Sequence, residues 1–224
     1  MRKILIVVGL LISLTACASK PAPNPLRPPA PELPYRTWEI GLLAPNYMEV
    51  WAESVDVLDQ RGLAYFRVHG GVSAIQNPPG NRGNPKGWPA RPGAGATRPM
   101  TGIDLPEIVF VRWQSLAEPQ TYRVAIPISE ENRQEMLTPY TAFCRFDGKH
   151  IQDYRKIITI GLAPGGIAKA WLSGDCLEPL ELGRFTGSIH PEGPYDGTSN
   201  GRHRPLSPIA KDYVDTHEIP FGSW

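Results

Sequence analysis

From Thr37 to Ile189 the chain is a succession of strand-length apolar runs divided by turn residues, and this rhythm constrains the fold more than any other feature. The runs occupy residues 37–43, 48–58, 63–68, 107–115, 120–128, 154–162, 167–172 and 180–189. In the second, Val50, Ala52 and Ser54 alternate with Glu49, Trp51 and Glu53, an imperfect period of two. Pro164-Gly165-Gly166 is a tight-turn signal between two runs, so residues 154–172 are expected to form a hairpin. Only one helix is expected. Ser129 caps it, Glu130 and Glu131 complement its positive end, and Pro139 follows Leu137. The fold class is therefore mainly β: an antiparallel sheet or sandwich with one short helix and long Pro/Gly-rich loops.

The 25 prolines and 22 glycines gather in three segments that divide the chain. Residues 18–34 hold seven prolines in 17 positions. Repeated fixed φ angles favour polyproline II, giving a stiff tether of roughly 50 Å at about 3.1 Å per residue. Residues 76–102 interrupt the β-rich domain with a long loop, and such loops are usually functional or disordered. No acidic residue lies between Asp59 and Asp104, whereas Arg82, Lys86, Arg91 and Arg98 all fall within the loop, with Trp88 among them. Arginine and tryptophan are the residue types that anchor interfaces, so these five are candidate partner-binding residues. The alternative is a solvated loop lying over a sheet edge. Residues 190–224 read as a tail that is weakly structured or wraps the domain.

The N-terminus fixes a compartment. Arg2 and Lys3 precede an uninterrupted apolar run of 11 residues, Ile4 to Leu14, followed by Thr15, Ala16 and Cys17. A positive start, a short apolar stretch and small residues before a cut make a secretory signal peptide over residues 1–16. The run is too short to span a bilayer, which takes roughly 20 residues. Leu14-Thr15-Ala16-Cys17 resembles the lipobox of bacterial lipoproteins, which implies lipidation of Cys17 and a membrane anchor for the mature chain. Ala18, rather than Asp, at the next position implies the outer membrane with the domain facing the periplasm. Cys144 and Cys176 are then the only remaining thiols. In an oxidising compartment an even count reads as one disulfide, two separately buried thiols being the alternative. Closing that loop of 32 residues stabilises by about 3–4 kcal/mol on the chain-entropy model.

Charge and motifs exclude several functions. Removing Arg2 and Lys3 lowers the 23 basic residues to 21 against 22 acidic ones, a formal charge of −1 that gives no reason to expect nucleic acid. Gly197-Thr198-Ser199-Asn200-Gly201 matches the G-x-S-x-G pattern, and Asp212, Asp215 and His217 follow in hydrolase order. A nucleophile elbow needs a strand before the serine and a helix after it, whereas Pro-rich and Gly-rich segments flank this one. His69, His150, His190, His203 and His217 show no metal-ligand spacing, and Gly93-Ala94-Gly95-Ala96 lacks the Lys-Ser/Thr of a phosphate loop. The expectation is a non-enzymatic binding protein with no cofactor and no metal.

Several stretches carry a family resemblance: Pro34-Tyr35-Arg36-Thr37-Trp38, Tyr47-Met48-Glu49-Val50-Trp51, residues 88–95, 111–116 and 160–169, with Cys144 and Cys176 in fitting contexts. Over residues 34–189 the chain resembles the proteobacterial lipoproteins grouped as domain of unknown function 2931. That resemblance implies an immunity role, because such lipoproteins are encoded beside type VI secretion phospholipase effectors. It implies a protein partner but no particular binding residues. The competing expectation is an envelope-structural or assembly lipoprotein that binds peptidoglycan, lipopolysaccharide or another envelope protein.

Overall fold

The computed structural model describes residues 29–74 and 82–224. The signal peptide, Cys17, most of the tether and the start of the long loop lie outside the described residues. Two sheets enclose one core. The first, sheet A, has the order β12 (Leu180–Thr186), β11 (Ile167–Ser173), β10 (Ile157–Ala163), β1 (Trp38–Leu43), β5 (Ala96–Met100). The second, sheet B, has the order β13 (Ser188–Ile189), β7 (Gln120–Pro127), β6 (Pro106–Ser115), β2 (Val50–Asp59), β3 (Ala64–His69), with β4 (Val72–Ala74) also pairing β2. Alternation, interrupted in β2 by a register shift between Ala52 and Ser54, places Ile40, Leu42, Val50, Ala52, Val55, Val109, Val111, Trp113, Ile158 and Ile160 in the shared interior. No helix among the described residues is long and apolar enough to cross a membrane.

The expected hairpin is β10–β11, turned by Pro164–Gly166 with Gly165 and Gly166 in the left-handed region. The expected helix is α1 (Glu130–Leu137), whose Ser129 hydroxyl accepts from the Asn132 N–H. Three expectations need correction. The sheets are not wholly antiparallel, since β1 pairs β10 in parallel, with every strand of the second sheet but β13 between them in sequence. Alternation shows that a strand has two faces but not which strand will lie beside it. Part of the long loop is a strand: β5 pairs the free edge of β1, and its Pro99 is tolerated because an edge strand can lack a donor. A second helix, α2 (Pro208–Thr216), is capped by the Ser207 side chain at the Ala210 N–H.

The C-terminal segment wraps the domain. The side chains of Glu49 and Glu53 point away from the core, yet both are almost fully buried because this segment covers them. Glu53 accepts from Arg112 Nε (2.8 Å), Gln114 Nε2 (2.7 Å) and the Tyr195 N–H (2.8 Å). Glu49 accepts from the Ser207 N–H (2.8 Å) and the Ser207 hydroxyl. Tyr195 and Asp196 both adopt left-handed backbone, with φ of 54° and 51°, an uncommon conformation for side chains of this kind. It delivers the Tyr195 N–H to Glu53 and the Asp196 carboxylate to Arg112. Beyond α2 the chain crosses to the other sheet, where the buried Trp224 donates from Nε1 to the Pro85 carbonyl (2.8 Å).

The loop over sheet A packs just as closely. A Cβ on Gly161 would stand 2.6 Å from the Trp88 ring, and one on Gly41 would stand 1.8 Å from the Ala94 carbonyl. Both positions admit only glycine while the loop lies where it does.

His69 joins the two sheets at the side of the sandwich. Its Nε2 lies 2.8 Å from the Ala96 carbonyl of β5, and its Nδ1 accepts from the Gly70 N–H, which requires the neutral ring. Burial is the main force lowering its pKa below the ordinary 6.5, and the Arg98 charge adds to it. The His203 pKa is also lowered, chiefly by burial. A histidine held neutral binds fewer protons folded than unfolded, so stability is lost as pH falls below the unfolded value. Thermal melting from about pH 7.5 to about pH 5.5 is expected to show falling Tm, with a shallower slope in His69→Gln. Glu53→Ala strands the Arg112 charge and the Tyr195 N–H, and is expected to destabilise by about 3–5 kcal/mol in chemical denaturation. It should also expose residues 190–207 to limited proteolysis.

Candidate functional site

Strands β8 (Tyr140–Cys144) and β9 (Lys149–Asp153) form a two-stranded sheet that no third strand joins among the described residues. Such a ribbon is marginal in water by itself, so its base needs outside support. Three contacts supply it. Cys144 and Cys176 form a disulfide with their Cα atoms 5.0 Å apart, tying β8 to the β11–β12 connection. The Asp153 carboxylate accepts from the N–H groups of Tyr154 and Cys176, each at 2.8 Å. Arg155 reaches Glu135 of α1 at 3.4 Å and lies over the Tyr140 ring, 4.7 Å from its centroid.

The base is held and the tip projects. Phe146 is 95% exposed and Phe143 is 53% exposed. Between this tip, the segment from Cys176 to Pro179 and the loop residues Arg91 to Ala94 lies an open concavity of about 790 Å³. Arg91 pairs with Glu178 across it at 2.5 Å, both side chains being about two-thirds exposed. Arg145, exposed at the tip, makes no ion pair among the described residues. Water screens these exposed charges, so they give orientation more than binding strength. The aromatic tip offers apolar area to a partner, and the arginines offer directional hydrogen bonds to its carboxylates.

The five loop residues expected at the interface are not gathered in one place. Arg91 lines the concavity. Arg82 and Lys86 are exposed on the loop, and Arg98 is exposed on β5 opposite Ile40. Trp88 does not project as an anchor. Its ring lies edge-on to Trp171 at 5.5 Å and fills the space above Gly161, so it holds the loop to sheet A. Phe143, Arg145 and Phe146 were missed by sequence reasoning. The Asp147-Gly148 pair between apolar residues was the available signal, since it marks a tight hairpin turn with Gly148 at positive φ.

The hydrolase-like residues are dispersed. The Ser199 hydroxyl donates to the Pro194 carbonyl at 3.2 Å within a series of turns. Asp215 pairs with Lys211, and the His217 ring stacks on Tyr213. Among the described residues, none of Asp212, Asp215 and His217 bonds to Ser199 through its side chain. No three His, Cys, Asp or Glu side chains among the described residues are grouped to hold a metal.

Removing the disulfide through Cys144→Ser with Cys176→Ser is expected to lower stability by about 3–4 kcal/mol in equilibrium denaturation. Hydrogen exchange should show the loss of protection concentrated in β8 and β9.

The family described as Protein of unknown function (DUF2931) matches residues 19–222, and the chain belongs to it. The match includes the C-terminal segment that wraps both sheets, except its last two residues. No curated protein and no solved structure matches the chain.

Proposed function

We propose that this family member is a lipid-anchored, non-enzymatic binding protein of the bacterial envelope. Cys17 carries the lipid, and the hairpin tip meets a protein partner. The observation that carries the reading is Phe146, almost wholly exposed on a tip whose base is clamped by a disulfide. A rigid aromatic presented at little cost in conformational entropy is what an interface centre requires. The disulfide also agrees with a chain that matures in an oxidising compartment.

The anchor follows from Leu14-Thr15-Ala16-Cys17 after the short apolar run. Stable attachment takes about two acyl chains, at about 0.8 kcal/mol per buried methylene, and a lipoprotein cysteine carries three. Ala18 supports the outer membrane, with the domain on its periplasmic face. The resemblance to lipoproteins encoded beside type VI secretion phospholipase effectors supports an immunity role in which the partner is such a phospholipase. Such an enzyme works at the lipid surface, where a tethered inhibitor has a high effective concentration. Arg91 and Arg145 beside the tip suit a partner whose active-site mouth is acidic.

Labelled palmitate is expected to enter the wild-type chain and not Cys17→Ser. A purified phospholipase encoded beside this gene is expected to form a one-to-one complex and lose activity. Phe146→Asp should weaken that complex by about tenfold or more. Full lipase activity in the presence of excess wild-type protein would count against immunity. Cross-links made only to envelope machinery would then favour an assembly role.

A further inference from the structure

The outer face of sheet B carries a second surface, separate from the hairpin. The C-terminal segment covers only one half of it. Along β2, Glu49 and Glu53 lie beneath that segment, while Ser54, Asp56 and Leu58 line an open groove of about 660 Å³. This volume is within the range of small-molecule sites, about 300–1,000 Å³.

The groove is graded along the strands. Its outer part is apolar: Leu58 stands opposite Ala64, and Phe110 opposite Ala125. Phe66 is 77% exposed and Phe110 is 41% exposed, so neither aromatic is covered by the fold. Arg67, next to Phe66, has left-handed backbone with φ of 53°, and its N–H bonds to the Asp56 carboxylate at 2.6 Å. The inner part is a polar row in which Ser54 pairs with Arg112, Arg112 with Arg123, and Arg123 with Ser188.

The two arginines differ. Arg112 is neutralised by Glu53 and Asp196. His190, at the same end, faces Asp196 and Glu192. Arg123 makes no ion pair among the described residues, and its Nε lies 3.5 Å from the Ser188 hydroxyl. An apolar strip ending at one uncompensated guanidinium is complementary to a single-chain anionic amphiphile. The Asp56 carboxylate in the apolar part directs an acidic head away from itself and toward Arg123. From the polar row at Ser54 to Leu58 the groove runs about 13 Å, the reach of a medium-length acyl chain from carboxylate to methyl end.

We propose that this groove binds a medium-chain fatty acid, with the carboxylate on Arg123 and Ser188 and the acyl chain over Phe110, Ala125 and Phe66. The proposal does not depend on the anchor or on the hairpin partner. Isothermal titration with laurate uses residues 18–224, which carry neither the apolar signal run nor the lipidated cysteine and so dispense with detergent. Saturable one-to-one binding is expected. Arg123→Gln should weaken it about tenfold or more, as expected for loss of a charge-assisted hydrogen bond. Decanoate should bind about fifteenfold more weakly than laurate, because it buries two methylenes fewer at about 0.8 kcal/mol each. Phe66→Ser should also weaken binding, with unchanged circular dichroism showing that the fold is intact. Equal affinity for dodecanol would overturn the assigned role of Arg123. Binding of lauroyl lysophosphatidylcholine without laurate, or of lipid vesicles alone, would overturn the ligand class. Binding that both substitutions leave unchanged would place laurate elsewhere on the chain.

Discussion

Much of the architecture depends on a carboxylate that is buried on the outside of a sheet. Glu53 faces away from the core, and its burial would be strongly unfavourable without partners. It has three donors: one from the neighbouring strand as a guanidinium, one as an amide, and one from the backbone of a segment 142 residues further on. Glu49 repeats the arrangement at Ser207, 158 residues away. These two acids convert an apparently weak Gly/Pro-rich tail into a belt around the sandwich. Arg204 joins them by placing its guanidinium 3.8 Å above the Trp51 ring and its N–H on Gln114. Many of the segment's polar groups are therefore met by side chains rather than by a strand ladder, which lets an irregular chain lie on a sheet.

The belt closes at one end of the sandwich. There Tyr47, Met48, Ala163, Ile167, Ala210 and Trp224 form a second apolar cluster. The Tyr47 and Tyr213 rings stack at 4.2 Å within it. Trp224 then holds the loop that covers sheet A, so residues 85–95 and the chain terminus support each other. Of the exposed aromatics among the described residues, Phe143 and Phe146 stand at the hairpin tip and Phe66 and Phe110 in the outer half of the sheet B groove, while Phe221 is exposed in the C-terminal segment. Paired exposed aromatics at one place, as at each of these two, are a pattern that marks interaction sites.

The two surfaces differ in character. The hairpin tip is convex, cationic at its margin and clamped at its base, which suits a macromolecular partner. The groove is concave and graded from apolar to basic, which suits an amphiphilic small molecule. They lie on different parts of the fold, with the hairpin concavity bordered by the sheet A loop and the groove on sheet B.

Much of this was legible from residue order. The turn at Pro164-Gly165-Gly166, the helix after Ser129 and the dominance of strands follow from local signals, because turns, caps and alternation act over a few residues; the pairing of Cys144 with Cys176, 32 residues apart, was expected only from the count of remaining thiols. Sequence did not reveal that β1 would lie parallel to β10, that residues 96–100 would complete sheet A, or that Trp88 would seat on Gly161. It also left Glu49 and Glu53 looking like solvent-facing acids, and Phe146 like one aromatic among several. A period of two shows that a strand has an inner and an outer face. What covers the outer face is settled by segments more than a hundred residues away, through hydrogen bonds and contacts that exist only once the chain has folded back on itself.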